Sequence, residues 1–330
     1  VIGAGAMGQG IAQIAAQAGS QVKLFDQDPN ASARARESIS GQWDKLVSKG
    51  KMDAAAAAAC LARMALPSSL AELSDCELVI EAIVERLDIK QALFKELEGI
   101  VHPDTVLVSN TSSLSITAIA SVLQHPGRFA GYHFFNPVPL MKVVEVIAGL
   151  KTHPEVCQRL SGLARAFGHT PVAAQDTPGF IVNHAGRGYG TEALRVVGER
   201  VADFATIDRI LKDQMGFRLG PFELMDLTAL DVSHPVMESI YHQYYEEPRY
   251  RPSVITAQRL AGGVVGKKVG EGFYAYDKGV AQVPAEPPVP SVASMPPVWV
   301  SPKAARRPEI YQLLKNLGAS IETAAAPSSA

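Results

Sequence analysis

The chain has 330 residues, 47% of them hydrophobic and 19% charged, a globular composition with room for two sizeable cores. A formal net charge of -2 gives no general attraction to nucleic acid or to an anionic membrane, so neither is expected as a partner. Three cysteines, Cys60, Cys76 and Cys157, stand far apart with no CxxC spacing, which argues against a disulfide framework and a metal site and fits a reducing, cytoplasmic setting.

No apolar run is long enough to cross a bilayer. Val1-Ile2 reads as the end of an apolar strand, so the native N-terminus, with any targeting segment, is expected upstream. Gly3-Ala4-Gly5-Ala6-Met7-Gly8 follows, then a small-residue helix to about Ala18, with Gly19 at its C-terminal end. Val22 to Phe25 reads as a second strand, ending at Asp26. Helices are predicted from Pro29 to about Lys49, from Asp53 onward and from Leu87 to Glu98, and strands at Leu78–Ile80 and Val106–Ser109. This alternation predicts a parallel, doubly wound sheet. Further strands are predicted at Phe129–Tyr132, Val143–Ile147 and Thr170–Ala173.

The texture changes at Asp176-Thr177-Pro178-Gly179. Helical periodicity then runs through Ile181–Val197, Thr206–Met215, Phe222–Leu230, Pro235–Tyr245 and Ser253–Leu260. The fold class expected is α/β: a doubly wound parallel sheet over residues 1–177, followed by an all-helical domain over 178–277. Residues 278–297 read as a Pro-rich, extended linker. Residues 298–330, with a strand at Val298–Val300 and a helix at Ile310–Leu317, read as part of a further module or as a disordered tail.

A GxGxxG string alone is weak, but here a strand precedes it, a helix follows and a second strand ends in an acid. Gly3 permits the tight turn, Gly5 lets backbone approach a pyrophosphate, and Gly8 is expected to let the helix pack closely on the sheet. The helix N-terminus, with Ala6 and Met7, offers N–H groups and partial positive charge to phosphates. Asp26, 18 residues after Gly8, can bind both ribose hydroxyls. Its charge would repel a 2′-phosphate, and Gln27 supplies no cation, so the expected cofactor is NAD rather than NADP. The bland alternative is a glycine-rich turn that binds nothing, and it has no need of the strand and acid that accompany this one.

Oxidation of an alcohol needs a general base with a pKa near working pH, which favours histidine. His133 stands at the end of an apolar strand, where open α/β sheets place their active sites. Glu145 interrupts the apolar run Val143–Ile147, and a buried carboxylate is costly unless paired. A His133–Glu145 pair would remove that cost and hold the imidazole in one tautomer. Residue pattern alone leaves His133 open to a packing role. Ser109-Asn110-Thr111-Ser112-Ser113 can cap a helix or present hydroxyls to a substrate. Asn183 reads as a cap, a solvated residue or a substrate contact, and Lys267-Lys268 as solvated charge or an anion contact.

Three strings carry a resemblance: Ser109-Asn110-Thr111-Ser112-Ser113-Leu114, His133-Phe134-Phe135-Asn136-Pro137-Val138-Pro139, and Asp176-Thr177-Pro178-Gly179-Phe180-Ile181-Val182-Asn183. Together they resemble the L-3-hydroxyacyl-CoA dehydrogenase family, and Gly220-Pro221-Phe222-Glu223 and Gly270-Glu271-Gly272-Phe273-Tyr274 are similar to its later motifs. The resemblance runs from Val1 to about Tyr276. It implies NAD-dependent, reversible oxidation of the 3-hydroxyl of an acyl-CoA, as in fatty-acid or aromatic-acid β-oxidation. It implies that His133 is the general acid/base and Glu145 its partner, and that Ser112 and Asn183 hold the reacting oxygens. It further implies that Glu85, Lys90, Ser112 and Lys268 contact NAD and that the helical domain forms a homodimer. The extension beyond Tyr276 resembles the start of an extra module in longer bacterial members, among them those acting on 3-hydroxyadipyl-CoA in phenylacetate breakdown. Two rivals stand beside this reading: a dehydrogenase of a small polar hydroxy acid, of the L-gulonate type, and a non-catalytic structural or binding relative.

Overall fold

The computed structural model describes residues 1–286, 288 and 295–328. Residues 1–281 form one compact unit and residues 282–330 another. The first unit begins with Ile2, which bridges Phe25 and Glu81 in parallel. Helix α1 (Ala6–Gln17) follows, then β1 (Val22–Lys23), α2 (Pro29–Ser48), α3 (Ala54–Ala62) and β2 (Met64–Ala65). Next come β3 (Leu78–Glu81), α4 (Leu87–Ile100), β4 (Val106–Ser109), α5 (Ile116–Ala120), β5 (Phe129–Phe134), β6 (Val143–Ala148), α6 (Pro154–Ala166) and β7 (Thr170–Gln175). Ile2 joins the β1–β2 pair to a sheet of order β3-β4-β5-β6-β7.

Parallel pairing dominates, as the alternation of strand and helix predicts, but β5 and β6 pair antiparallel. Only residues 135–142 separate these two strands. A connection of that length is too short for the helical crossover that parallel neighbours require. β7 then pairs parallel to β6, so the last two strands run opposite to the rest.

Apolar residues on both sheet faces account for the layers. α1 and α2 cover one face through Ile11, Ala15, Ile39 and the fully buried Trp43. α6, unassigned by sequence pattern, joins them with Val156, Leu160 and Ala164, only three anchors at a spacing of four. Phe94 and Leu97 of α4 and Ile116 and Ile119 of α5 cover the other face.

The helical region holds α7 (Val182–Gly198), α8 (Phe204–Arg209, continued by a π turn Ile210–Gln214), α9 (Pro221–Thr228), α10 (Leu230–Gln243) and α11 (Val254–Ala261). Its core is Leu194, Phe222, Leu230, Met237 and Phe273. α9 and α10 are separated by Ala229 alone, at φ 65° and ψ 140°. Pro235 therefore lies within α10 rather than at its start, in the second turn. A short hairpin, β8 (Tyr276–Asp277) with β9 (Val280–Ala281), closes this unit.

In the second unit, β10 (Val298–Trp299), α12 (Arg307–Asn316) and β11 (Ile321–Glu322) form a parallel β-α-β unit. Residues 287, 289–294 and 329–330, on which parts of the linker and tail expectations fall, lie outside the described residues.

Candidate active site

The glycine loop connects the Ile2 bridge to α1. Gly3 has φ +97°, and a Cβ there would lie 2.5 Å from the Ala82 carbonyl oxygen, so only glycine fits. A Cβ on Gly8 would lie 1.8 Å from the Gly3 carbonyl oxygen. The same Cβ would lie 3.5 Å from Val1 Cγ1, so Gly8 lets α1 sit against the first strand segment as well as against the turn. Gly10 also packs closely on the body: its Cβ would approach Val138 Cβ to 2.8 Å. Gly5 is exposed, and a Cβ there would meet nothing within 4 Å, which leaves open space at the first turn of α1. Ala6 and Met7 open α1, whose first turn has neither a side-chain cap nor an acid. Its N–H groups are therefore available to an anion, and this loop fits a dinucleotide phosphate. Asp26 Oδ2 accepts from Ala4 N at 2.7 Å, and Oδ1 accepts from Asp28 N at 3.0 Å. Its half-exposed carboxylate thereby ties the loop to the end of the second strand.

The β5–β6 register places His133 directly opposite Glu145. His133 Nδ1 lies 2.6 Å from Glu145 Oε2, with the two side chains 6% and 0% exposed. Glu145 Oε1 accepts from Ile181 N and Val182 N, both at 2.9 Å, at the start of α7. Burial pushes this carboxyl upward, but the His133 ring and the two N–H groups outweigh it and hold the group below the usual carboxylate range. Phe180, at φ 51°, sets the chain direction that aims those N–H groups. Its ring lies 5.8 Å from the imidazole and that of Phe135 lies 4.5 Å away. Among the described residues His133 Nε2 has no hydrogen-bond partner, so the ring is anchored at one nitrogen and free at the other.

A second network lies beside the loop after β4. Glu85 Oε1 accepts from Thr111 Oγ1 at 2.5 Å, Ser112 N at 2.9 Å and Ser113 N at 3.1 Å. Its other oxygen lies 3.2 Å from Lys90 Nζ. Burial raises the Glu85 pKa, and Lys90 with the serine loop more than reverses this and lowers it. Lys90 itself is 1% exposed and donates to Glu81 Oε1 at 2.5 Å. Glu81 Oε2 accepts from Ser109 Oγ at 2.6 Å. Sequence reasoning missed Glu81, although an acid closing the apolar strand Leu78–Ile80 was its signal. Asn183 Nδ2 donates to the Ser112 carbonyl at 3.3 Å, which joins α7 to this loop. Ser112, Asn183, Glu85 and Lys90 thus form one connected group. Lys268 stands on a separate turn, Lys267–Val269, where it is ion-paired with Asp231.

The two later motifs serve another network. Asp208 accepts from Phe222 N, Glu223 N and Tyr274 Oη, and Asp226 accepts from Phe273 N, Tyr274 N and Tyr276 Oη. A Cβ on Gly220 would overlap the Asp208 side chain and one on Gly272 that of Asp226, so these glycines make room for buried acids. Among the described residues no group of histidine, cysteine and carboxylate side chains could hold a metal, and no helix is long and apolar enough to cross a membrane.

The glycine-rich loop at a helix N-terminus fits a dinucleotide phosphate, and the histidine anchored by a buried carboxylate fits proton transfer, the two parts that the dehydrogenase class of proteins combines. Residues 1–177 match the family model described as 3-hydroxyacyl-CoA dehydrogenase, NAD binding domain, and residues 179–276 match 3-hydroxyacyl-CoA dehydrogenase, C-terminal domain. The chain belongs to this 3-hydroxyacyl-CoA dehydrogenase family. It is 44% identical over 274 residues to a 3-hydroxyadipyl-CoA dehydrogenase of Escherichia coli, covering 83% of this chain and 58% of that protein. It is 43% identical over 276 residues to a probable 3-hydroxybutyryl-CoA dehydrogenase of Deinococcus radiodurans, covering 84% of this chain and 99% of the relative. The fold matches a crystal structure of (S)-3-hydroxybutyryl-CoA dehydrogenase from Ralstonia eutropha with a TM-score of 0.81 at 37% identity, over 84% of this chain and 97% of that one.

Proposed function

We propose that this chain catalyses the reversible, NAD-dependent oxidation of a (S)-3-hydroxyacyl-CoA to the 3-ketoacyl-CoA. The observation that carries the reading is the His133 ring, anchored through Nδ1 on buried Glu145 and free at Nε2. Glu145, an acceptor only, fixes the Nδ1–H tautomer, so Nε2 carries the lone pair that takes the proton of the 3-hydroxyl. The negative Glu145 stabilises the imidazolium that results, and in the reverse direction the imidazolium returns the proton to the oxygen. When bound, NAD supplies the nicotinamide that accepts the hydride. Gly3, Gly5, Ala6, Met7 and Gly8 form the phosphate turn, and Asp26 faces the ribose. Ser112 and Asn183 hold the substrate oxygen opposite His133. Glu85 and Lys90 keep the serine loop in place beside the cofactor, and Lys268 reaches it from the helical domain.

An NADH-linked assay tests this. Acetoacetyl-CoA is expected to be reduced, and free L-gulonate is expected to be left unoxidised. Oxidation of L-gulonate with no turnover of acetoacetyl-CoA would overturn the reading in favour of a polar hydroxy-acid dehydrogenase, and turnover of neither would favour a non-catalytic relative.

We infer that residues 1–177 bind NAD, that 178–277 bind substrate and associate, that 278–297 link, and that 298–330 belong to a further module. Exposed Met215, Phe217, Leu224 and Leu227 in the helical region support a homodimer formed there. A monomeric mass at micromolar concentration would count against that. The three free cysteines support a cytoplasmic location.

A further inference from the structure

We infer that Gln243 is a positioning residue for the reaction: from the end of α10 its amide holds the loop that presents the Ser112 hydroxyl. This rests on the dehydrogenase reading and on the place given there to Ser112. Gln243 is the last residue of α10, 130 residues beyond the loop in sequence. Its Nε2 donates to the Ser113 carbonyl at 2.9 Å and to Ser239 Oγ at 2.9 Å. Both amide hydrogens are thereby occupied, and the bond to Ser239, one turn back, aims the other at the loop. Three successive peptide planes of that loop are held. Ser112 N, in the first, donates to Glu85 Oε1. The second carries the Ser112 carbonyl, which accepts from Asn183 Nδ2, and Ser113 N, which also donates to Glu85 Oε1. The third carries the Ser113 carbonyl, on Gln243, and Leu114 N, which donates to Thr111 Oγ1 at 2.9 Å. Ser113 is 5% exposed, so without Gln243 its carbonyl is a buried acceptor with no donor. It gains a donor only by turning, and the plane that Ser113 shares with Ser112 turns with it.

The two helices that supply these amides are fastened to each other by the next residue along. Asn183 is followed by His184 on α7, and Gln243 by Tyr244 at the end of α10. Tyr244 Oη lies 2.8 Å from His184 Nδ1, and Tyr250 Oη lies 3.3 Å from His184 Nε2. The two tyrosine rings stack with centroids 4.8 Å apart. Each tyrosine hydroxyl can donate or accept, so both bonds form whichever ring nitrogen of a neutral His184 carries the proton. In each helix, therefore, one residue turns to the serine loop and its neighbour ties the helix to the other, which sets the spacing of the two amides. Packing does not replace the Gln243 bond. A cavity of about 290 Å³, lined by Ser113, Ser115, Asp176, Thr177 and Gln243 among others, lies against the loop on this side. A segment that borders open space is held by its hydrogen bonds, and Gln243 makes the one that comes from α10.

The test is a double-mutant cycle on kcat for acetoacetyl-CoA reduction. Gln243→Met keeps the stem and removes both donors. It is expected to lower kcat by about tenfold or more, because a small displacement of a reacting group is costly, while NADH binding stays within about twofold. In the Ser112→Ala background the same change is expected to cost less than about twofold, because the hydroxyl it positions is gone. A Gln243 that served only the architecture would cost the same factor in both backgrounds. That result, or an unchanged kcat for Gln243→Met, would overturn the proposal. Ser239→Ala removes the anchor of the amide and leaves the amide itself. It is expected to lower kcat by about threefold, again only where Ser112 is present, and it decides the question if Gln243→Met fails to fold. A Ser112→Ala enzyme as fast as the wild type would overturn the proposal together with the place given to Ser112. No turnover of acetoacetyl-CoA by the wild type would overturn the dehydrogenase reading instead.

Discussion

Glu145 and Asp208 are both carboxylates withdrawn from solvent, at 0% and 2% exposure, yet they face opposite surroundings. Glu145 meets a histidine that has a second, free nitrogen. Asp208 meets two backbone N–H groups and a tyrosine hydroxyl, and those contacts close on themselves. Burial pushes the Asp208 carboxyl upward and its N–H partners only partly offset this, whereas the partners of Glu145 win and lower it. A buried acid therefore marks chemistry only when its network ends in a group with capacity left over. Otherwise it is architecture, and the later sequence motifs around Asp208 and Asp226 are architecture of this kind.

The comparison can be broken most sharply at His133. His133→Ala is expected to lower kcat about 10³-fold while NADH binding, read by fluorescence, stays near wild type. Glu145→Gln keeps the shape and removes the charge. It is expected to cost about 100-fold and to move the kinetic pKa of the base downward, because the imidazolium loses its anion. An unchanged pH–rate profile would sink the pairing.

On the architectural side, Asp226→Ala leaves the buried N–H groups of Phe273 and Tyr274 without acceptors. About 3 kcal/mol of stability should go, seen in urea unfolding, while the protein that remains folded keeps its kcat. A fall in kcat as large as that of Glu145→Gln would erase the distinction. Smaller again, the Asp26 carboxylate should favour NAD over NADP by about tenfold, a difference of about 1.4 kcal/mol. Equal use of both would show that Asp26 does not face the ribose.

The smallest effect is in pH dependence, where the two acids have opposite signs. The lowered Glu145 contributes stability that is present above the ordinary carboxylate range and lost as pH falls through its folded value. The raised Asp208 contributes stability that is complete below that range and lost as pH rises through its folded value. Glu145→Gln should flatten the acid side of a stability–pH curve and Asp208→Asn the opposite side.

Much of this was legible in the chain. The glycine loop has a local signature, since the turn at Gly3 can be made only by a residue without a Cβ. His133 and Glu145 stand out as polar residues in apolar strands, and their contact needs only adjacent strands. The reversal of β6 was not legible from strand pattern, because a strand's alternation does not record its direction; the short connection at 135–142 was the clue. The close approach of Gly10 to Val138 was not legible, because it depends on where the loop after β5 returns to α1. Asp208 and Asp226 escaped notice for another reason. Their partners lie 14 to 66 residues away and are mostly N–H groups, which every residue but proline carries.

The antiparallel pairing of β5 and β6 makes the alignment of proton acceptor and carboxylate a matter of counting. A slip of one residue would turn every side chain of the moved strand to the other face, and a slip of two would restore the face but carry Glu145 about 7 Å along the strand. Distance between these groups is therefore not continuously adjustable: the permitted offsets are discrete, and only the present one closes the hydrogen bond. An insertion within either strand would alter that count. The connection at 135–142 is held as well, by Phe135 against the imidazole and by buried Val138 against α1.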